Sequence, residues 1–223
     1  ERRNPVNGGN QDFGLPAVQS SNNLQMAFTH RNYDLAFAGT TQLFRTTNLS
    51  DPNPEWELVH DEGFQVKSIQ IHPRNPEIVA VIMLNNRIYK THNALDAEPV
   101  FDAIELGTGS GNSSSLAMDI NDDKIMYVAL GTKVYRTYDD GVNWENITGT
   151  LPSVNVKKMF LDSARNDESV YLATAIGVYY RNKEMSDWKA FNQGLPTIAN
   201  ITDFMLYDDV SVGRKLRVSY YGR

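Results

Sequence analysis

The 223-residue chain has no cysteine, which excludes a disulfide framework and thiolate zinc sites. It has no basic stripe either. Acidic residues outnumber basic ones, 27 to 21, for a formal charge of -6, and the pairs Arg2-Arg3 and Arg214-Lys215 stand alone. Nucleic acid is therefore not expected as a partner, because phosphate binding draws on clustered Lys and Arg. No apolar run approaches the ~20 residues that span a bilayer, so no membrane span is expected. The four histidines, His30, His60, His72 and His92, lack the spacing of metal ligands, and neither metal nor cofactor is expected. Residues 107–112 are rich in glycine but lack the Lys of a phosphate loop and the helix that follows it. They read as a flexible connection. No nucleophile elbow is present, and no stretch combines helical periodicity with caps.

What the chain does have is a period. Leu43-Phe44-Arg45-Thr46 returns as Ile88-Tyr89-Lys90-Thr91, as Val134-Tyr135-Arg136-Thr137 and, less faithfully, as Val178-Tyr179-Tyr180-Arg181. The aromatic position steps by 45, 46 and 44 residues, and a fixed period of that length marks a repeat architecture. Alternating strands are expected at 24–29, 67–72, 114–119, 157–162 and 201–207, each followed by a polar turn. Second strands rich in Val, Ile, Ala and Tyr follow at 35–38, 78–83, 125–129, 170–174 and 216–220. Their small residues suit strands near the axis of a radial array. The repeated phrase is the third strand, and the fourth carries Trp56, Phe101, Trp144 or Trp188. The expectation is an all-β chain of four-stranded units with repeats at about 24–65, 66–112, 113–153 and 154–197. A half repeat fills 198–223, making residues 1–223 one portion of a single domain.

In the third repeat, Thr137-Tyr138-Asp139-Asp140-Gly141-Val142-Asn143-Trp144 joins the third and fourth strands. Thr137 and Asp139 offer oxygens to backbone N–H groups of a tight loop. Gly141 suits a positive φ, and Trp144 has a large apolar face to bury between sheets. The segment resembles the Asp-box of β-propellers of the BNR/Asp-box class (sortilin-, sialidase- and xyloglucanase-like), with Asn143 in place of the usual Thr. The corresponding loops of the other repeats keep only parts of the pattern. The resemblance implies a β-propeller with about four and a half blades in this chain. It also implies a structural role for Thr137, Asp139, Gly141, Asn143 and Trp144 on the outer rim.

Two further segments resemble parts of large secreted, Bacteroidetes-type surface proteins. Gly9-Asn10-Gln11-Asp12-Phe13-Gly14 is similar to their GNQDNG segment, and Val218-Ser219-Tyr220-Tyr221-Gly222-Arg223 to their closing YGRG(L)W strand. Both termini read as cut, and the chain as the last blades of a longer exported polypeptide, secreted or held at the bacterial cell surface. The resemblance implies a non-catalytic binding, adhesion or assembly module with protein or glycan partners. The remaining blades of the polypeptide count among its contacts. Gln11, Asp12, Tyr221 and Arg223 are the binding candidates, at the axial ends of the strands.

The alternative is a fragment of an Asp-box glycoside hydrolase. A two-carboxylate mechanism needs an acid and a base facing each other, and Asp12, Asp119 and Asp162 sit at strand ends. A sialidase-like site needs an arginine cluster and a Tyr/Glu nucleophile pair, and the arginines lie mostly on turns or in the repeated phrase. No catalytic set assembles. Sequons at Asn48, Asn112, Asn146 and Asn200, and Asp162-Ser163-Ala164, fit glycosylation patterns.

Overall fold

The computed structural model describes Leu15 and residues 24–29, 32–106, 114–162, 167–195, 201–209 and 213–220. These form strands and turns, with no helix among the described residues. Each repeat folds as an antiparallel meander. The first sheet runs β1 (Gln25–Phe28), β2 (Ala36–Gly39), β3 (Gln42–Thr46) and β4 (Glu57–Asp61). The second runs β5 (Val66–Ile71), β6 (Val79–Met83), β7 (Ile88–Thr91) and β8 (Asp102–Ile104). The third contains β9 (Ser114–Met118), β10 (Met126–Leu130), β11 (Lys133–Thr137) and β12 (Glu145–Asn146). The fourth contains β13 (Val156–Asp162), β14 (Ser169–Thr174), β15 (Gly177–Arg181) and β16 (Lys189–Ala190). A two-stranded sheet of β17 (Ile201–Asp209) and β18 (Gly213–Tyr220) follows.

Consecutive sheets meet through their first strands. β1 touches β5, β5 touches β9, β9 touches β13, and β13 touches β17, whereas each fourth strand packs mainly on its own third strand. The sheets therefore converge at one edge and splay at the other, as blades do. This corrects the expectation that the second strands lie nearest the axis: the first strands take that edge. The small residues of the second strands have another cause. Ala36, Ala38, Ala80, Ala129 and Ala173 lie buried between closely stacked sheets.

The alternation of the second strands supplies two seams at once. Val79, Val81 and Met83 join Phe37 and Leu43 of the first sheet, while Ala80 and Ile82 on the same strand join Leu116, Met126 and Val128 of the third. Tyr127 and Ala129 then face Val170 and Leu172 of the fourth sheet, and Tyr171 and Ala173 face Ile201 and Phe204. A strand buried on both faces cannot show the polar alternation of a half-exposed one, which is why these segments read as continuous apolar runs. The aromatics of the fourth position sit at the seams: Phe101 packs on the first, Trp144 on the second and Trp188 within the third. Each lies one residue before its short strand rather than inside it.

The repeated phrase also carries cations that cross to the next blade. Arg45 Nη1 donates to the carbonyls of Ala94 (2.6 Å) and Asp96 (2.7 Å). Lys90, only 2 % exposed, donates to Asp123 O at 2.7 Å and pairs with Asp140. Both satisfy loop carbonyls of the neighbouring sheet through buried or partly buried bonds. A buried cation needs such partners.

Candidate functional site

The turns leaving the first strands are closed by side chains at one repeating position. Asp119 Oδ1 accepts the N–H groups of Asn121 (2.7 Å) and Asp122 (3.1 Å). One repeat earlier, His72 Nδ1 accepts those of Arg74 (3.3 Å) and Asn75 (3.1 Å). These partners fix the imidazole as the Nε2–H tautomer, and Nε2–H donates to Asp119 O at 2.9 Å. Asp119 and Asp162 are both buried. The Asp119 carboxylate is thus committed to its turn, and a general acid or base needs open access to substrate.

At the opposite edge, the 137–144 loop is closed by its own side chains. Thr137 Oγ1–H donates to Asp139 Oδ1 (2.8 Å) while accepting from Gly141 N–H (3.0 Å). Asn143 donates its backbone N–H to Asp139 Oδ1 (2.8 Å) and its amide to Oδ2 (2.7 Å). The backbone and side-chain bonds from Asn143, then that from Thr137, hold the Asp139 carboxyl below its usual range. Gly141 has φ +88°, and a Cβ there would stand 2.8 Å from Ile104 Cγ2 of the preceding sheet. Both backbone and neighbour require glycine.

The loops at 46–56 and 91–101 use the same bonds. Thr46 donates to Asn48 Oδ1 (2.9 Å), which accepts Glu55 N–H (2.9 Å). Thr91 donates to Asn93 Oδ1 (2.8 Å), which accepts Val100 N–H (2.9 Å). Sequence reasoning missed this. The signal was Thr-x-Asn in place of Thr-x-Asp, at the same period. The Asn48 amide also donates to Asp51 Oδ2 at 3.0 Å, so both ends of this sequon side chain are hydrogen-bonded within the loop.

A tyrosine–glutamate pair does form. Tyr127 O–H donates to Glu168 Oε2 at 2.7 Å, Tyr138 O–H does so at 3.0 Å, and the Arg136 guanidinium lies 4.7 Å from the Tyr138 ring centre. Yet Tyr127 is buried in the third seam. Burial, followed by the Glu168 carboxylate, raises its phenol well above the ordinary range. A nucleophilic phenolate needs the opposite shift.

A groove of about 400 Å³ runs along the converging first strands at the axial edge. One polar residue per first strand recurs at the repeat period, Gln25, Ser68, Ser115, Lys158 and Asp203, with Ser68 and Ser115 four positions before the caps His72 and Asp119. The first four line the groove, and Lys158 is paired with Asp203 of the next sheet. Ser115 Oγ accepts Met159 N–H at 3.0 Å, tying two first strands together. In β5, β13 and β17 the residue just before this position, Lys67, Lys157 or Thr202, is skipped in the ladder as a bulge. Bulges re-aim the side chains beside them. Met26, Phe28, Ile69 and Ile71 supply apolar wall. Among the described residues, no Asp or Glu lines the groove, and no cluster could hold a metal ion.

Gln11, Asp12, Tyr221 and Arg223 lie outside the described residues, as do His30, Asn112, Asn200, residues 107–111 and the 163–164 part of the glycosylation tripeptide. The axial row was not singled out from the sequence, although its five polar residues share the repeat period.

No protein-family model and no curated protein matches the chain by sequence. Among solved structures it is similar to an ancestral GH74 enzyme, with TM-score 0.68 and 17 % identity over 89 % of this chain and 29 % of that one. It is similar to the GH74 xyloglucanase from Xanthomonas campestris, with TM-score 0.61 and 12 % identity over 81 % of this chain and 31 % of the other. YCF48 bound to D1 peptide matches with TM-score 0.54 and 12 % identity over 81 % and 57 % of the respective chains. The chain thus spans less than a third of either GH74 enzyme and little more than half of YCF48. These likenesses show the fold: an all-β propeller built of four-stranded blades.

Proposed function

We propose that the chain is a non-catalytic β-propeller module of BNR/Asp-box type from an exported or cell-surface protein, serving binding, adhesion or assembly. The observation that carries this reading is the axial groove. Its described walls offer amides, hydroxyls, the His72 imidazole, the Lys158 ammonium and apolar side chains but no carboxylate, which supports recognition rather than two-carboxylate hydrolysis. The engagement of Asp119 in its turn and the raised Tyr127 phenol support it further. The closed 137–144 loop fits a structural rim role. Protein and glycan ligands are both compatible with the groove.

The second reading, a fragment of a glycoside hydrolase, is favoured by the similarity to two GH74 enzymes. The test is to incubate the chain with xyloglucan and a panel of other polysaccharides and follow new reducing ends. Immobilised peptides and glycans are screened for capture in parallel. Capture without new reducing ends is expected. Reducing ends that disappear on Asp119→Asn or Asp162→Asn would overturn the proposal in favour of the hydrolase.

A further inference from the structure

The groove runs along the edge of β1, which among the described residues is terminal in its sheet, with β2 as its hydrogen-bonded neighbour. Antiparallel strands send the N–H and C=O of successive residues to alternate sides. Thr29 N–H donates to Leu35 O, so the backbone groups of Thr29, Ala27 and Gln25 point toward β2. Those of Met26 and Phe28 point the other way, into the groove. The same parity holds in the next sheet, where His72 N–H donates to Ile78 O and Ile69 and Ile71 present their backbone groups to the axis. Along β1 these donors and acceptors recur every two residues, about 6.6 Å apart at ~3.3 Å per residue. That is the repeat of an extended chain.

The side chains add two constraints. Met26 and Phe28 are 38 % and 55 % exposed, an apolar surface beside a polar edge. Among the described lining residues the cation is Lys158, and it is already paired with Asp203, so a charged ligand would have to compete with that pair for a counter-charge.

We propose that the axial groove takes an uncharged, extended peptide that lies along the free edge of β1 as an added strand, with alternate apolar side chains against Met26 and Phe28. Main-chain bonds to Met26 and Phe28 supply the register, the usual division of labour in strand addition. The Gln25 amide and the Ser68 hydroxyl meet the peptide at one end of the groove, and the Asn32 amide at the other. A volume of about 400 Å³ lies in the range of small-ligand pockets and suits a short segment rather than a folded partner. The assignment rests on the binding role proposed above and narrows it to one ligand class.

The test pans the 223-residue chain against a phage-displayed library of random dodecapeptides, and the enriched sequences are synthesised. They are expected to be uncharged over their central residues, with apolar residues at alternate positions. Met26→Pro removes one groove-facing N–H without touching the ladder to β2. Proline is tolerated in that setting, so the variant should melt within a few degrees of the parent and bind at least tenfold more weakly. Ser68→Trp, which fills the groove from the neighbouring strand, should weaken binding as much and serves if Met26→Pro fails to fold. N-methylation of the peptide should abolish binding in one alternate phase and spare it in the other. Enriched peptides that are charged, or that bind both variants as the parent does, would overturn the assignment. If oligosaccharides are captured, Ser68→Trp blocks them and no peptide is enriched, the peptide assignment falls and the binding role stands. If neither class binds, both fall.

Discussion

His72 Nε2–H donates to the carbonyl oxygen of Asp119 at 2.9 Å, and the two residues hold the same place in successive blades. Each closes its own turn with its side chain, and one also reaches across the seam to the other. His72→Ala removes both functions and orphans the N–H groups of Arg74 and Asn75. A loss of about 2–4 kcal/mol in urea denaturation is expected. His72→Asp reproduces the cap seen at Asp119 and loses only the cross-blade bond, so its cost should be about 1 kcal/mol. Equal losses for the two variants would show that the turn cap contributes nothing.

Ile104 of the preceding sheet occupies the space that a Cβ on Gly141 would need. Gly141→Ala meets both a φ of +88° and a 2.8 Å approach to Ile104 Cγ2, and should cost about 2–4 kcal/mol from strain and overpacking together. In an Ile104→Ala background the steric part vanishes, and the expected cost falls to about 1–2 kcal/mol. A double-mutant cycle by chemical denaturation measures the difference.

Trp188 lies in the third seam and donates its Nε1–H to Ile147 O at 2.6 Å. Trp188→Phe should lose about 1 kcal/mol through the missing hydrogen bond, because Ile147 O keeps a longer one from Arg181 Nη1 at 3.3 Å. Trp188→Ala should lose about 3–5 kcal/mol through the cavity it leaves between sheets. Thermal unfolding of the three proteins should rank them in that order.

The acid limb of stability should carry the mark of the loops. Hydrogen bonds from Ser50 to Asp34, from Asn143 and Thr137 to Asp139, and from Thr150 and Trp188 to Asp187 lower these carboxyls below their ordinary value. A depressed folded pKa means stability that is present above the unfolded value of about 3.9 and lost as pH falls through the folded one. Subtracting the pH profile of Asp139→Asn from that of the parent should leave a difference flat above pH ~5 and falling below ~4. Asp139→Asn should also fold at neutral pH, because Asn48 and Asn93 already occupy that position in the first two blades. Asp139→Ala should be the less stable of the two.

The period was legible because each blade repeats one aromatic phrase and one aromatic before its last strand, and both kinds of ring pack at seams that recur with the fold. The rim loops were legible only in the third blade. In the first two, Asn48 and Asn93 do the work of Asp139, and three extra residues before Trp56 and Phe101 obscure the match. The identity of the axial strands was misread because small residues in β2, β6 and β14 suit tight sheet stacking as well as proximity to the axis. The axial row escaped notice for another reason. Gln25, Ser68, Ser115, Lys158 and Asp203 share neither charge nor size, so only the folded register brings them to one level.

The most direct test of recognition at the axis is amide hydrogen exchange on the full chain, read residue by residue, with and without a saturating enriched peptide or captured glycan. Slowed exchange at Met26 and Phe28, with the 137–144 loop unchanged and no reducing ends released from xyloglucan, is the predicted result. Protection confined to the 137–144 loop, or turnover of the polysaccharide, would contradict it.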